Sequence, residues 1–367
     1  MTLESIRARA LVIPFKQSFR HASAERAATQ AIWVAATARD GTVGHGEGCP
    51  REYVTGESIA GAKAFIAAHM QEWTASVRDA PTLRAWTARH EREIDFNPAA
   101  WSAVELALLD LLGKAEARPV ESLLGLPALS GRFRYTAVLG DAEPGAFDAQ
   151  LARYREAGFR DFKIKLSGDR ARDAAKVRSL QAAGIAPQRV RADANNLWRD
   201  ADAAIYDLRA LQFGFAALEE PLRAGDHEGM ARVALALGTD IVLDESIARC
   251  EQLARLPAAG RWVVNLRVSK MGGVLRSLDF LREARRRGLR VIIGAHVGET
   301  SLLTRAALAV ASVAGEALLA QEGAFGTHLL ERDVAEPPLM FGPGGVLEAG
   351  PALGTAPGWG LAIREPA

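Results

Sequence analysis

The sequence predicts an α/β protein, a modified (β/α)8 barrel of the TIM type preceded by an α+β capping domain. Two observations carry this prediction: a regular repeat in the second half of the chain and a change of pattern near residue 125. In the repeat, a polar residue closes each of seven short apolar runs, namely Lys165, Asp193, Glu219, Asp244, Lys270, His296 and Glu322. The steps between them are 28, 26, 25, 26, 26 and 26 residues, which suits one strand, one helix and two loops.

The repeat also predicts where the functional side chains lie. Parallel strands joined by right-handed crossovers share one face, and the active sites of (β/α)8 barrels lie at the carboxyl ends of the strands. If residues 134–140 form the first strand and FKIK at 162–165 the second, His296 ends the seventh strand and Glu322 the eighth. The seven polar residues should therefore surround one opening of the barrel.

Three parts are predicted along the chain. Residues 1–125 form the capping domain, residues 126–325 form the catalytic barrel, and residues 326–367 form a C-terminal segment that packs back on the cap. The cap is predicted to contain strands at 7–14, 31–37 and 42–47 and helices at 58–73, 82–93 and 99–115. The glycine clusters at 342–345 and 357–360 are predicted to be turns.

The bulk composition argues against several classes of function. The 367 residues carry a net charge of only +1, which disfavours a nucleic-acid surface or an electrostatic membrane anchor. No targeting segment and no long apolar run is present, so a cytoplasmic protein is expected. Cys49 and Cys250 form no metal or redox motif and are expected to be lone thiols. The expected partners are a small-molecule carboxylate substrate and further copies of the chain in a homo-oligomer.

Three residues of the ring suggest a metal site. Asp193, Glu219 and Asp244 end consecutive strands, and three carboxylates brought close together need a cation. Because all the donors are oxygens, Mg²⁺ is the expected ion, with Mn²⁺ as an alternative. Side chains alternate along a strand, so Glu220 and Glu245 are expected to face away and to support the ligands from behind.

Lysine placement points to proton transfer. Only seven of the 45 basic residues are lysines, and three of them, Lys163, Lys165 and Lys270, lie at strand ends beside carboxylates. A crowded lysine can lose its proton near neutral pH, whereas an arginine cannot. Lys163 and Lys165 point the same way, so each ammonium is expected to lower the pKa of the other. Lys270 lies across the barrel, which would place the α-carbon of a bound carboxylate between two bases.

Five short motifs stand in a fixed order along the barrel half of the chain. They are Lys163-Ile164-Lys165, Asp193-Ala194-Asn195, Glu219-Glu220-Pro221, Asp244-Glu245-Ser246 and Lys270-Met271-Gly272-Gly273. In this order and spacing they resemble the enolase superfamily, and within it the muconate-lactonizing-enzyme-like subgroup, over nearly the whole chain. The resemblance implies metal ligands at Asp193, Glu219 and Asp244, and acid/base roles for Lys165 and Lys270. It also implies that Lys163 neutralises the substrate carboxylate and that Asn195 is a supporting polar group, the alternative for Asn195 being a turn residue.

Two departures from that pattern bear on the substrate. Subgroup members that epimerise dipeptides carry Asp-x-Asp near the eighth strand, whereas residues 321–326 here read QEGAFG with Glu322 as the single acid. This disfavours dipeptide epimerisation, although Glu322 is left to pair with one ammonium. At the seventh strand, His296 and Glu299 replace an apolar stretch and are candidate substrate contacts, with a structural imidazole as the alternative for His296. A His–Asp dyad at this strand would mark the mandelate-racemase-like subgroup, which Lys270 disfavours.

Two polar loops of the cap, residues 16–26 and 48–58, are expected to cover the barrel mouth and select the substrate. They offer Arg20, Arg51 and Tyr53 as substrate contacts. A basic and aromatic lining would suit a substrate with a second anion or a flat apolar part. The alternative is that both arginines are ordinary surface charges of loops.

The predicted function is divalent-metal-dependent removal of the proton α to a substrate carboxylate, through an enediolate that the metal stabilises. Lysines on opposite faces favour racemisation or epimerisation of an amino-acid derivative. The alternative is cycloisomerisation or β-elimination of a hydroxy or unsaturated acid, with an isomerase favoured over a lyase. A third reading, from another class, is a binding protein that keeps the barrel but has lost turnover.

Overall fold

A computed structural model describes residues 1–21 and 24–365, with the backbone alone for residues 18–21, 24 and 25. The chain begins with a sheet and a hairpin, whose strands are β1 (Leu3–Leu11), β2 (Pro14–His21), β3 (Ala24–Ala28), β4 (Ala31–Ala38) and β5 (Val43–Gly48). β1, β4 and β5 pair antiparallel in the order β1-β4-β5, and β2 pairs with β3. Alternating side chains of β4 fill the cap core, which includes the buried Trp33.

Helices follow the sheet, as the periodicity predicts. They are α1 (Glu52–Thr55), α2 (Ile59–Ser76), α3 (Ala80–Arg89), α4 (Glu91–Phe96), α5 (Pro98–Ala115) and α6 (Val120–Leu124). The helix predicted at 82–93 is two helices, because the chain leaves helical geometry at His90. α5 is apolar on nearly all sides and is buried over most of its length, because it lies between the cap sheet and the barrel.

β5 and α5 approach at backbone distance. Gly44, Gly46 and Gly48 share one face of β5, and a Cβ atom on any of them would collide with a main-chain carbonyl of α5. The carbonyls belong to residues 107, 103 and 99, one helical turn apart, so steps of two along the strand match steps of four along the helix. Glycine at these three positions therefore sets how closely the cap sheet packs on α5.

Alternating strands and helices form the second half of the fold. The strands are β6 (Gly131–Arg134), β7 (Ala137–Leu139), β8 (Phe162–Lys165), β9 (Val190–Asp193), β10 (Ala217–Glu219), β11 (Asp240–Leu243), β12 (Trp262–Arg267), β13 (Arg290–Gly294) and β14 (Leu318–Gln321). The helices are α7 (Pro144–Glu156), α8 (Arg170–Ala182), α9 (Ala201–Ala210), α10 (His227–Leu237), α11 (Val268–Met271), α12 (Val274–Arg286) and α13 (Ser301–Ala311). β7 to β14 form a parallel sheet in chain order, and Thr136 N donates to Gln321 O (2.8 Å) to join its two ends.

The barrel departs from the ideal pattern in two places. Within residues 126–325, all of which the structure describes, the crossover from β11 to β12 holds only a 3₁₀ helix (Cys250–Arg255). The first strand predicted at 134–140 is interrupted, since β6 pairs antiparallel with β15 (Val346–Ala349) before β7 enters the barrel. These departures make the barrel a modified one, and the predicted fold class is confirmed.

The last residues of the chain contain β15 and α14 (Pro351–Thr355), which lie between the two glycine clusters predicted to be turns and which the sequence did not predict. Trp359 follows them and is fully buried, with its backbone N donating to Asp110 (2.9 Å) and its indole to Leu106 O (3.0 Å), both on α5. Arg305 of α13 also donates to Trp359 O (2.9 Å). The terminal segment thus contacts both the cap helix and a barrel helix, while the boundaries at 125 and 325 stay predictions.

Two further properties bear on the composition. In the parts of the chain that the structure describes, no helix combines the length and apolar character needed to cross a membrane. Cys49 is buried and Cys250 half-buried, and both are free thiols, as predicted.

Candidate active site

Four side chains meet where β8, β9 and β10 end. Lys163 Nζ lies 2.6 Å from Glu219 Oε2 and 3.2 Å from Asp193 Oδ2. Lys165 Nζ donates to the same Asp193 oxygen (2.5 Å) and to Asn195 Oδ1 (3.1 Å). The two lysines point the same way, as their spacing in a strand predicts, and both are buried. Asn195 has a positive φ of 46°, so this predicted contact lies in a tight turn that holds its amide against Lys165.

The opposite side of the barrel mouth is built around Asp244 and Lys270. Lys270 Nζ donates to Asp244 Oδ1 (2.9 Å) and to the main-chain oxygens of Asp244 and Asn265 (2.7 Å each), and it is 1% exposed. Arg267, at the end of β12, pairs with Asp244 Oδ2 and lies 3.9 Å from Glu219. The sequence placed Lys270 at a strand end, but it lies in the helical turn α11, three residues beyond β12.

Electrostatics separate the lysines. Burial alone would lower the pKa of Lys163, but the carboxylates of Glu219, Glu322 and Asp193 outweigh it and raise that pKa. The prediction that adjacent lysines lower each other's pKa is therefore wrong for Lys163, because the carboxylates lie closer than the second ammonium. Burial, followed by the charge of Arg267, lowers the pKa of Lys270 to about 7. The neutral form of Lys270 is therefore accessible near neutral pH, whereas Lys163 stays charged.

Glu220 and Glu245 follow Glu219 and Asp244 directly. Glu220 accepts from the backbone N of Asp244 (2.7 Å) and of Ser246 (2.8 Å), and burial raises its pKa to about 7. It therefore fixes the loop that carries Asp244. Glu245 lies on the wall of the cavity, and burial raises its pKa to about 8. Of the two residues predicted to support the ligands from behind, Glu220 is the one whose contacts suit that part.

The three predicted metal ligands are buried and contribute only oxygen donors. Lys163 links Asp193 to Glu219, and Arg267 links Glu219 to Asp244, so the carboxylates form a continuous row. Among the residues described, no group of three His, Cys, Asp or Glu side chains is arranged to hold a metal ion, because each acid is turned to a neighbouring cation. The donor chemistry fits Mg²⁺ or Mn²⁺, and the backbone places the three acids on adjacent strands.

His296 and Glu299 lie beyond the end of β13. The backbone N of His296 donates to Glu299 Oε1 (2.7 Å), while neither ring nitrogen has a hydrogen-bond partner among the described residues. Burial and the charges of Arg267 and Arg51 hold the pKa of His296 well below its usual range. The imidazole therefore lines the cavity in its neutral form, with Nδ1 3.5 Å from Glu299 Oε1, while Glu299 accepts from the backbone of its own loop.

Glu322, one residue past β14, is already paired. Its Oε2 lies 2.9 Å from Lys163 Nζ, and its Oε1 accepts from Arg191 (2.8 Å). Arg191 points inward from β9 and also donates to Thr136 Oγ1 (2.9 Å). Each oxygen of Glu322 already accepts one hydrogen bond, so a substrate ammonium paired with Glu322 would share it with Lys163 and Arg191.

The three substrate contacts predicted in the cap differ in where the structure places them. Tyr53 is 40% exposed and lines the cavity, as predicted. Arg51 is 1% exposed and donates to the main-chain oxygens of Gln30 (2.6 Å), Pro50 (2.7 Å) and Val297 (3.0 Å). The view of Arg51 as a surface charge of a loop is therefore wrong, since it ties the cap to the seventh strand's loop. The side chain of Arg20 lies outside the described residues.

These groups open into a cavity of about 350 Å³ between the barrel mouth and the cap. Its charged and polar lining includes Lys163, Lys165, Arg267, His296, Glu245 and Glu322. Four aromatic residues of the lining pack against one another in the order Tyr154, Phe159, Phe341 and Phe325. Arg153 is a further cation in the lining. The cavity thus combines ionic groups with an aromatic cluster.

Sequence reasoning missed Arg267, Arg191 and Asn265. Asn265 Nδ2 donates to Glu219 Oε1 (3.2 Å), so all three touch a predicted site carboxylate. A signal was present, because Arg191 stands two residues before Asp193 and Asn265 two before Arg267. The alternation that paired Lys163 with Lys165 applies equally to both strands.

Fold and site together define a capped-barrel enzyme with a row of acids between lysines, and comparison with known proteins assigns the family. Residues 5–125 match the mandelate racemase / muconate lactonizing enzyme N-terminal domain, and residues 146–367 match the enolase C-terminal domain-like family. The chain belongs to the mandelate racemase / muconate lactonizing enzyme family of the enolase superfamily. The resemblance inferred from the motifs is confirmed.

Three similar proteins illustrate the range of the family. An aromatic dipeptide epimerase from Herpetosiphon aurantiacus is 30% identical over 300 residues, covering 81% of this chain and 83% of that protein. An N-succinyl-L-Arg/Lys racemase from Bacillus cereus is 24% identical, covering 85% and 84%. The crystal structure of a dipeptide epimerase from Enterococcus faecalis, complexed with Mg and L-Leu-L-Tyr, superposes with a TM-score of 0.81 at 26% identity, covering 99% and 100%.

Proposed function

We propose that this protein is a Mg²⁺-dependent isomerase that racemises or epimerises an amino-acid derivative by moving the proton α to its carboxylate. The observation that carries the proposal is the position of Lys165 and Lys270. Lys165 ends the second strand of a sheet of eight that closes on itself, and Lys270 follows the sixth strand by three residues, so the two lysines come from opposite sides of the barrel. Two bases on opposite faces of one α-carbon are what inversion at that carbon requires.

Asp193, Glu219 and Asp244 would hold the divalent ion. When bound, the ion supplies positive charge that stabilises the negative charge developing on the substrate carboxylate. The Mg in the related epimerase structure supports this choice of ion. Lys163, whose pKa is raised by its three carboxylate neighbours, stays charged and contributes a fixed cation. Arg267 adds a second permanent cation beside Asp244.

The residues of this chain then divide the proton transfer. Lys165 lines the cavity and takes the proton from one face of the α-carbon. Lys270 returns a proton to the other face, and the roles reverse for the other enantiomer. The cap excludes bulk water from the mouth, and Arg51 holds it there through Val297 O. Asn195 supports Lys165 through its amide oxygen.

The lining of the cavity favours a substrate with a neutral α-nitrogen. Lys163, Arg153 and Arg267 supply three cations. Of the two acids in the lining, Glu322 already pairs with Lys163 and Arg191, and burial raises the pKa of Glu245 to about 8. A free ammonium would find little negative charge to receive it. The aromatic cluster of the lining suits an apolar group on the acyl part or the side chain. We therefore place N-acyl amino acids ahead of dipeptides with a free amino end, although relatives of both kinds are known.

Exchange of the α-proton in D₂O tests both parts of the proposal. N-acetyl- and N-succinyl-L-phenylalanine should lose the ¹H NMR signal of the α-proton and accumulate the D-enantiomer in the presence of Mg²⁺. L-Ala-L-Phe, which carries a free ammonium, should exchange at least about tenfold more slowly, the effect of one unpaired buried charge. Exchange without inversion would contradict racemisation, and faster exchange of the dipeptide would contradict the substrate class. Binding with no exchange in any substrate would favour the binding-protein alternative.

A second candidate function keeps the same site with a single base. Lys270 is 1% exposed and is held by three oxygen atoms, which suits a fixed cation as well as a base. This observation favours cycloisomerisation, or β-elimination, of an unsaturated or hydroxy acid. It predicts consumption of such an acid without inversion of any N-acyl amino acid, as followed by ultraviolet absorbance and polarimetry.

A further inference from the structure

A second cavity opens at the end of the barrel opposite the active site. It has a volume of about 830 Å³ and lies where the strands begin, with Ala217, Asp240 and Arg290 among its lining residues. Each of these is the first residue of its strand. In a (β/α)8 barrel this face normally serves stability rather than chemistry. A cavity of this size is large enough for a ligand of many atoms.

The lining of this cavity is rich in arginine. Its five arginines are Arg132, Arg134, Arg189, Arg191 and Arg290, whereas its acids are two aspartates. Both aspartates are neutralised, since Asp161 pairs with Arg189 (3.0 Å) and Asp240 with Arg290 and also Arg261. Arg134 is exposed at the rim and its side chain has no ion pair or hydrogen bond within the described ranges 1–21 and 24–365. Arg132 pairs with Glu348 (3.3 Å) and Arg191 with Glu322 (2.8 Å), so among the described residues Arg134 is the lining arginine without a counter-charge.

The inner end of the cavity carries a second, independent signal. Arg191 is 7% exposed, and its Nε has no hydrogen-bond partner among the described residues. The guanidinium is oriented by Thr136 and Glu322, which both accept from its Nη2. A buried guanidinium nitrogen without an acceptor is unfavourable, because it has lost its contact with water and gained no partner. Such a group is explained when a ligand supplies the missing acceptor.

We infer that this cavity binds a small oxyanion, a phosphate ester or a polycarboxylate, between Arg134 at the rim and Arg191 at the inner end. Guanidinium groups match the oxygens of both kinds of anion in two-point hydrogen bonds. Arg191 also contacts Glu322, and Glu322 contacts Lys163, so the bound anion lies two side chains from the active site. The site is separate from the substrate cavity, because the two cavities share no lining residue.

Calorimetric titration of the full chain in the presence of Mg²⁺ tests this inference. Inorganic phosphate and malonate are titrated separately at constant ionic strength, with chloride as the balancing anion. At least one should bind saturably with one site per chain, and the tighter one identifies the ligand chemistry. Arg134→Gln should weaken that binding by about tenfold or more, the effect of one lost charge-assisted hydrogen bond. Arg178→Gln, an exposed arginine on α8 outside the cavity, should leave it unchanged.

Arg134→Gln is exposed and should fold, and its thermal unfolding serves as the check. Arg191→Lys provides a second variant that keeps the charge but removes Nε, and it should also weaken binding. Absence of saturable binding of both anions would overturn the inference. Equal affinity in the wild type and Arg134→Gln would also overturn it, because the anion would then occupy another place, such as the substrate cavity.

Discussion

The two lysines proposed as bases stand in unequal surroundings. Lys165 lines the cavity and donates to one carboxylate and one amide. Lys270 is absent from the cavity lining and donates to three oxygens, two of them main-chain carbonyls. Lys165 can therefore turn toward a substrate by releasing side chains, whereas Lys270 must leave backbone acceptors that do not move with it.

This difference shows that two lysines on opposite sides of the barrel are not equivalent bases merely because of their positions. The sequence places both lysines symmetrically, four strands apart. The structure gives them different neighbours, different access and a pKa for Lys270 of about 7. The two directions of the proposed reaction should consequently respond differently when each side is changed.

The largest effect on activity is expected from replacing the carboxylate that pairs with each lysine. Asp193 contacts Lys165 and Asp244 contacts Lys270, yet both are proposed to hold the metal ion. Asp193→Ala and Asp244→Ala should each lower kcat by about a thousandfold or more, as measured by polarimetry, because the charge of the ion is lost. Mg²⁺ affinity in calorimetry should fall for both variants.

The exposed Asp202→Asn on α9 is the control and should retain full activity. If Asp244→Ala kept Mg²⁺ affinity while Asp193→Ala lost it, Asp244 would be an anchor of Lys270 and not a metal ligand. That outcome would add a further difference between the surroundings of Lys165 and those of Lys270.

The lysines themselves should separate the two enantiomers. Lys165→Ala should abolish α-proton exchange of one enantiomer in D₂O and leave measurable exchange of the other. Lys270→Ala should show the reverse pattern. Arginine at either position should be as inactive as alanine, since guanidinium does not act as a base near neutral pH. If Lys270→Ala slowed α-proton exchange of both enantiomers equally, the two-base mechanism would be wrong and the single-base candidate would be favoured.

A smaller effect, on stability, is expected from replacing Arg51, which lies where the barrel mouth adjoins the β13 loop. Arg51→Ala leaves three main-chain oxygens without a donor, so the free energy of unfolding should fall by about 3 kcal/mol. Urea unfolding measures it, and Arg39→Ala, an exposed arginine of the same cap, is the matched control. Equal stability of the two variants would show that the buried contacts of Arg51 are dispensable.

The smallest effect concerns Glu105, which supports the Lys270 side. Its carboxylate accepts from the backbone N of Leu275 (3.1 Å) and of Val274, just after the turn that carries Lys270. Burial raises its pKa to about 8. Because the folded-state pKa exceeds the unfolded one, its contribution is fully present below about pH 4.5 and is lost as the pH rises through 8.

Wild-type protein should therefore lose about 2 kcal/mol more unfolding free energy than Glu105→Gln between pH 6 and pH 9. Urea unfolding at both pH values measures the difference. Parallel losses in the two proteins would mean that Glu105 is ionised throughout this range.

Much of the site could be predicted because strand ends follow from periodicity. The acids and lysines are recovered at the mouth since each closes an apolar run, and a buried parallel strand needs such a run. Two features could not be predicted. The pKa of Lys163 depends on three carboxylates from three other strands, and their distances exist only after closure of the barrel. The burial of Arg51 depends on its hydrogen bonds to main-chain oxygens of the cap and of the β13 loop. No local sequence pattern predicts these contacts.

The turn at Lys270 was also beyond the sequence argument. VVNLRVSK is a continuous strand by pattern, yet α11 begins at Val268, and α5 contacts this turn from the cap side. The backbone N of Cys49 also donates to Ser269 Oγ (2.8 Å) there. The tertiary contact overrides the local preference for strand.

The three glycines of β5 have a consequence for modularity. They let the cap strand touch α5, α5 touches α11, and α11 carries Lys270, so a side chain proposed as a base is placed by the cap domain. A chimaera that joins this barrel to a cap from another member would inherit a different spacing at that contact. Replacing the whole cap would therefore alter the chemistry as well as the choice of substrate. To avoid this, β5, α5 and α11 would have to be transferred together.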